Sequence, residues 1–139
     1  MLFLVSLVST CYFALAASTP ASRKYGLILV NRSVLEDVLR TSTWFSADGT
    51  FKITPRPGNV LDVRASQVLH ITADYHGSVV LLFSVIMTSR KVGLYKKVLK
   101  FIKRTIPNFK PPQLMCDYES ALRKAFKSVF PATKVYGCR

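Results

Sequence analysis

The run Ser78-Val79-Val80-Leu81-Leu82-Phe83-Ser84-Val85-Ile86-Met87 constrains this chain more than any other stretch. It is nearly continuous in apolar and β-branched residues, the pattern of a strand buried on both faces. Such a strand needs neighbours, and the chain supplies them upstream. Gln67 to Ala73 reads as a second strand, and Asp74-Tyr75-His76-Gly77 between the two is a hairpin turn signal. Thr43 to Thr54 reads as a third strand, carrying Trp44, Phe45, Thr50, Phe51 and Ile53. Pro55-Arg56-Pro57-Gly58-Asn59 breaks it.

At Arg90 the period changes from strand to helix. Val92, Tyr95, Val98, Leu99 and Ile102 fall on one face, with Lys96, Lys97, Lys100, Lys103 and Arg104 largely on the other. Ile106-Pro107 ends this helix. Leu114-Met115-Cys116 reads as a short strand after Pro111-Pro112. Tyr118 to Phe130 is a second helix with Leu122, Ala125, Phe126 and Val129 facing inward, stopped by Pro131. Thr133 to Tyr136 starts a last strand. Nearer the N-terminus, Tyr25 to Val30 is a short apolar run, and Ser33 with Glu36 forms a capping box for a helix through Leu39. The order β-β-β-α-β-α-β implies an α/β protein, with a three-strand meander followed by two crossover helices on a mixed sheet. That is the beginning of a ribonuclease H-like topology; a generic α/β sandwich gives the same string.

A length of 139 residues suits one domain, and an apolar fraction of 50% excludes intrinsic disorder. Cys11, Cys116 and Cys138 are too few and too scattered for a disulfide scaffold or a Cys-only zinc site. The net charge is +13, and Arg90 to Arg139 carries +11 of it. So one-sided a field suits a polyanion, nucleic acid or an acidic membrane surface; a basic solvated face on a soluble domain is the alternative. Residues 1–17 form an uncharged apolar leader ending in Ala14-Leu15-Ala16. They read as a signal peptide core without its basic start, or as a stretch translated ahead of the true beginning. Residues 18–32 read as a linker, with a glycosylation sequon at Asn31-Arg32-Ser33 that matters only in a secreted chain.

Chemistry on a phosphodiester polyanion calls for divalent metal held by carboxylates from adjacent strands. In a ribonuclease H-like sheet the first and fourth strands are neighbours. Asp48 lies on the first of these and Asp117 at the end of the fourth, so the two carboxylates could converge. Each also has a structural alternative. Asp48-Gly49 is a hairpin-turn signal, and Asp117 is a natural N-cap for the helix that follows. Asp62 and Asp74 read as loop residues and Glu119 as a first-turn acid. His70 and His76, with Cys116, match no zinc template.

The segment Trp44-Phe45-Ser46-Ala47-Asp48-Gly49-Thr50-Phe51-Lys52-Ile53-Thr54-Pro55 resembles the first catalytic block of the MULE (Mutator-like element) transposase domain, a member of the DDE superfamily. Gln67-Val68-Leu69-His70-Ile71 is similar to that family's second strand, and Tyr95 stands where the family has a tyrosine in its first helix. Cys116-Asp117-Tyr118-Glu119-Ser120-Ala121-Leu122, followed by Ala125-Phe126 and Phe130-Pro131, resembles the block around the second catalytic aspartate. Gly137-Cys138 resembles the start of a Gly-Cys-x-x-His element. The resemblance spans about residues 33–139. It implies a ribonuclease H-like domain in which Asp48 and Asp117 are catalytic and hold Mg²⁺ or Mn²⁺. It implies DNA as partner, a nuclear location, room for a homo-oligomer, no small-molecule substrate and no membrane. The basic face Lys96, Lys97, Lys100, Lys103 and Arg104 would then help hold DNA. The family's third acid and the His partner of Cys138 have no counterpart here, so the expectation is a catalytically incomplete part of a transposase. The alternatives are a domesticated or decayed module that binds DNA or protein without catalysis, and a small secreted basic protein.

Overall fold

The structure is a computed structural model and describes residues 2–7, 10–15, 26–50, 66–117 and 119–137, with backbone alone for the first two stretches. The expected strand residues Phe51 and Ile53, the break at Pro55 to Asn59, and Asp62, Tyr118 and Cys138 lie outside the described residues.

The chain is α/β. Its strands are β1 (Leu2–Leu7), β2 (Thr10–Leu15), β3 (Gly26–Val30), β4 (Trp44–Thr50), β5 (Gln67–Tyr75), β6 (Ser78–Met87), β7 (Gln113–Cys116) and β8 (Lys134–Gly137). The helices are α1 (Leu35–Thr41), α2 (Val92–Thr105) and α3 (Ser120–Val129). All eight strands join one mixed sheet in the order β1-β2-β3-β6-β5-β4-β7-β8, and the six from β3 onward carry described side chains. β4, β5 and β6 form the expected antiparallel meander, while β7 and β8 run parallel to β4. β1 and β2, from the apolar leader, pair antiparallel and extend the sheet beyond β3. β3, inside the stretch expected as a linker, pairs antiparallel with β6 because its alternate residues Ile28 and Val30 are buried in the core.

The β5–β6 turn has positive φ at both central residues, 51° at His76 and 78° at Gly77. That is the backbone a two-residue hairpin needs to match the strand twist, and Gly77 supplies it without strain. The α1 start differs from the capping-box expectation. Val34 occupies the cap with no side-chain bond, because the Ser33 hydroxyl donates to Asn31 Oδ1 at 2.7 Å. Asn31 in turn donates through Nδ2 to the Leu81 carbonyl at 3.1 Å, which ties the strand end to β6.

All three helices cover one face of the sheet. Leu35 and Val38 of α1, Leu94, Val98, Leu99 and Ile102 of α2, and Leu122, Ala125 and Phe126 of α3 pack on Phe45, Ala47, Leu69, Ile71, Phe83 and Val85. Helix and sheet approach closely at Gly26, where a Cβ would meet Val98 Cγ2 at 2.9 Å. At the centre sits Phe109, from the α2–β7 connection and fully buried. Its ring meets Phe45, Phe83 and Phe130 edge-on at centroid distances of 5.9, 5.2 and 5.4 Å. Among the described residues the opposite face holds a small cluster, Val68 and Ile86 with Leu27. For that reason the first half of β6 is not buried on both faces as its apolar run suggests: Val79 is 78% and Leu81 42% exposed.

Candidate functional site

Asp48 stands in β4 on the face away from the helices. Alternation along the strand buries Phe45 and Ala47 and leaves Trp44, Ser46 and Asp48 exposed. The chain does not turn at Asp48-Gly49. The strand continues to Thr50, with Asp48 paired to His70, Gly49 to Leu69 and Thr50 to Val68. On the other side of β4 the parallel register pairs Ala47 with Cys116. Asp48 and Asp117 each follow this last β4–β7 pair by one residue, Asp117 just beyond the end of β7, and both are exposed. α3 opens after Asp117, with Glu119, two residues on, at its cap position. The hairpin-turn alternative for Asp48 therefore does not describe where it sits.

Asp48 is the middle of a polar row. His70 lies opposite it on β5, and Ser84 lies opposite His70 on β6, with His70 Nδ1 3.1 Å from Ser84 Oγ. His76 is in the hairpin turn against the Tyr75 ring, and Cys116 is buried on the helix side. Among the described residues no three of His, Cys, Asp and Glu converge as a metal site. The Cys116 thiol is pushed up by burial, then by the negative charge of Asp117, against the opposing pull of Arg123 and Lys127.

Behind Asp117 lies a buried polar contact that sequence reading assigned to no role. Gln67 Nε2 donates to the Tyr95 hydroxyl, and that hydroxyl hydrogen-bonds the Glu119 side chain. Gln67 and Tyr95 are both fully buried. β5, α2 and the β7–α3 connection are thus joined at one point, two residues from Asp117. The visible signal was a glutamine opening an otherwise apolar strand.

The five basic residues of α2 lie on the helix layer, and the sheet separates that layer from the carboxylates. Lys96 is half-buried; Lys97, Lys100, Lys103 and Arg104 are exposed. Two of these hold structure together. Lys103 Nζ donates to the Val129 carbonyl at 2.9 Å and lies 5.6 Å from the Phe130 ring centroid. The Arg104 guanidinium lies 5.6 Å from the Phe101 ring centroid. Lys97 and Lys100 are the α2 cations best placed for solvent, and α3 adds exposed Lys124 and Lys127. If this layer grips a phosphate backbone, Lys97→Ala with Lys100→Ala should lower the slope of log affinity against log salt by roughly 2, near 0.9 per lost contact. Filter binding of a DNA duplex over a salt series measures it, and an unchanged slope would remove both lysines from the interface.

Among the described residues no helix is long and apolar enough to cross a membrane. No family model, curated protein or solved structure matches the chain.

Proposed function

We propose that this chain belongs to the catalytic region of a Mutator-like, DDE-type DNA transposase, in which Asp48 and Asp117 hold a divalent metal against a DNA phosphodiester. The observation that carries the reading is the β4–β7 register, in which Ala47 pairs with Cys116, so that Asp48 and Asp117, both exposed, each follow the last paired position by one residue. The strand order β6-β5-β4-β7-β8, antiparallel through the meander and parallel across β4, β7 and β8, supports a ribonuclease H-like arrangement. The resemblance of the Asp48 and Asp117 blocks to the transposase family supplies the reaction class.

The donor set fits a hard cation. Mg²⁺ and Mn²⁺ prefer carboxylate oxygen and keep several waters, so one or two protein carboxylates are an ordinary complement. Like charges on neighbouring strands are otherwise destabilising, which makes this placement costly for a purely structural pair. The metal would supply Lewis-acid polarisation of a phosphoryl oxygen and a more acidic bound water. Asp48, within β4, and Asp117, just after β7, would fix its position. The Tyr95–Glu119–Gln67 contact would hold the connection that carries Asp117. His70, bonded to Ser84, closes the other flank of Asp48.

The charge of the helix layer favours a second reading, a module that binds DNA without cleaving it. One experiment separates the two. Mn²⁺ titrated into the full chain, with free metal read by electron paramagnetic resonance, should show a site that Asp48→Asn with Asp117→Asn weakens at least about tenfold. Equal affinity in both proteins would overturn the metal assignment and leave the binding module.

A further inference from the structure

The face that carries Asp48 and Asp117 also carries an exposed aromatic pair. Trp44 is 39% and Tyr136 41% exposed, with ring centroids 5.4 Å apart, and Met115 beside them is 39% exposed. Their place is fixed by register. Trp44, Gln113 and Lys134 form one row across β4, β7 and β8, and Ser46, Met115 and Tyr136 form the next. One two-residue step further along β4, roughly 7 Å, brings Asp48, and Asp117 follows the end of β7.

From this geometry we infer that Trp44 and Tyr136 form a stacking platform for an unpaired base of single-stranded DNA, beside the carboxylate pair. Large aromatic rings on an open sheet face offer flat apolar surface at low entropic cost, and every base has a π-face to lay on them. Exposed Lys134, in the same row as Trp44, supplies a cation for the backbone, and Gln113 a half-buried amide between them. A strand stacked here would run toward Asp48 and Asp117. The choice of nucleic acid as occupant rests on the phosphodiester reading above; the stacking does not need the metal.

Trp44 is the single tryptophan of the chain, so its emission reports this platform alone. The full chain carrying Asp48→Asn with Asp117→Asn, in EDTA, removes the metal and its carboxylates from the experiment. Titration with a short oligothymidylate should quench Trp44 emission. An abasic oligonucleotide of the same length should not, which separates base stacking from phosphate attraction. Tyr136→Ala should weaken oligothymidylate binding about tenfold, the size of one lost base stack, while the exposed position spares the fold. Emission unchanged by oligothymidylate, or equal quenching by the abasic chain, would overturn the platform. Mn²⁺ affinity unchanged by Asp48→Asn with Asp117→Asn, with quenching intact, would overturn only the metal assignment.

Discussion

Phe109→Ala is expected to destabilise the fold by about 3–5 kcal/mol, a large share of the roughly 5–15 kcal/mol that holds a domain together. The ring is fully buried and meets Phe45 of β4, Phe83 of β6 and Phe130 after α3. Those three neighbours come from separate parts of the chain, so no single element can shift to fill the void. Rigid β-strands lie on one side, and Phe130 is already engaged with Phe126 at 6.0 Å on the other. The transfer cost and the cavity cost should therefore both appear. Urea unfolding followed by circular dichroism measures it, with Val79→Ala as the control. Val79 is 78% exposed and should change stability by less than about 0.5 kcal/mol. A loss under about 1 kcal/mol for Phe109→Ala would mean that the ring does not join sheet and helix layers.

Phe109 was also the least legible part of the fold. It lies between Pro107 and Pro111, in a stretch with neither helical nor strand period, so no pattern marks it as core. The elements around it were legible, because each carries a period of its own. The hairpin at His76-Gly77 and both amphipathic helices fall within a few residues of their expected bounds. β6 was read correctly as a strand but not in its burial. An apolar run states what a strand tolerates, whereas burial depends on where the helices settle, and all three settle on one face. Asp48 was ambiguous for a local reason: Asp-Gly favours a turn, and only pairing with His70 on one side and the β7 register on the other decides for a strand. The Tyr95–Glu119 contact spans distant segments and has no local signature. The aromatic pair was half visible: Trp44 was expected in a strand, but its meeting with Tyr136 across β7 depends on sheet order.

Tyr95→Phe should weaken the fold at neutral pH and flatten its response to alkali. The hydroxyl accepts a hydrogen from Gln67 Nε2 and bonds the Glu119 carboxylate, so its removal strands the buried Gln67 amide and the half-buried Glu119, and should cost about 1–3 kcal/mol. Burial, reinforced by Glu119, holds the phenol above the ordinary tyrosine range, against the smaller pull of Gln67 and Arg90. The sign follows from which state keeps the proton. Above about pH 10 the unfolded tyrosine ionises while the folded one stays neutral, so the folded state binds more protons and stability falls as pH rises. The contribution is complete below about pH 10 and disappears as the pH climbs toward the folded value. Cys116, raised by burial, and Tyr75, raised by its bond to Asp37, act in the same direction. Tyr75→Phe is therefore the proper comparison: it also removes a titrating phenol, but one at the α1 end, away from Asp117. Urea midpoints taken from about pH 8 to about pH 11 should show the wild-type chain losing stability more steeply than Tyr95→Phe. Parallel curves would mean that Tyr95 is not held neutral between Gln67 and Glu119. The metal site gives a second reading of the same contact. If Glu119 steadies the connection that carries Asp117, Tyr95→Phe should also weaken Mn²⁺ binding, by less than loss of the carboxylates themselves, while Tyr75→Phe leaves it unchanged.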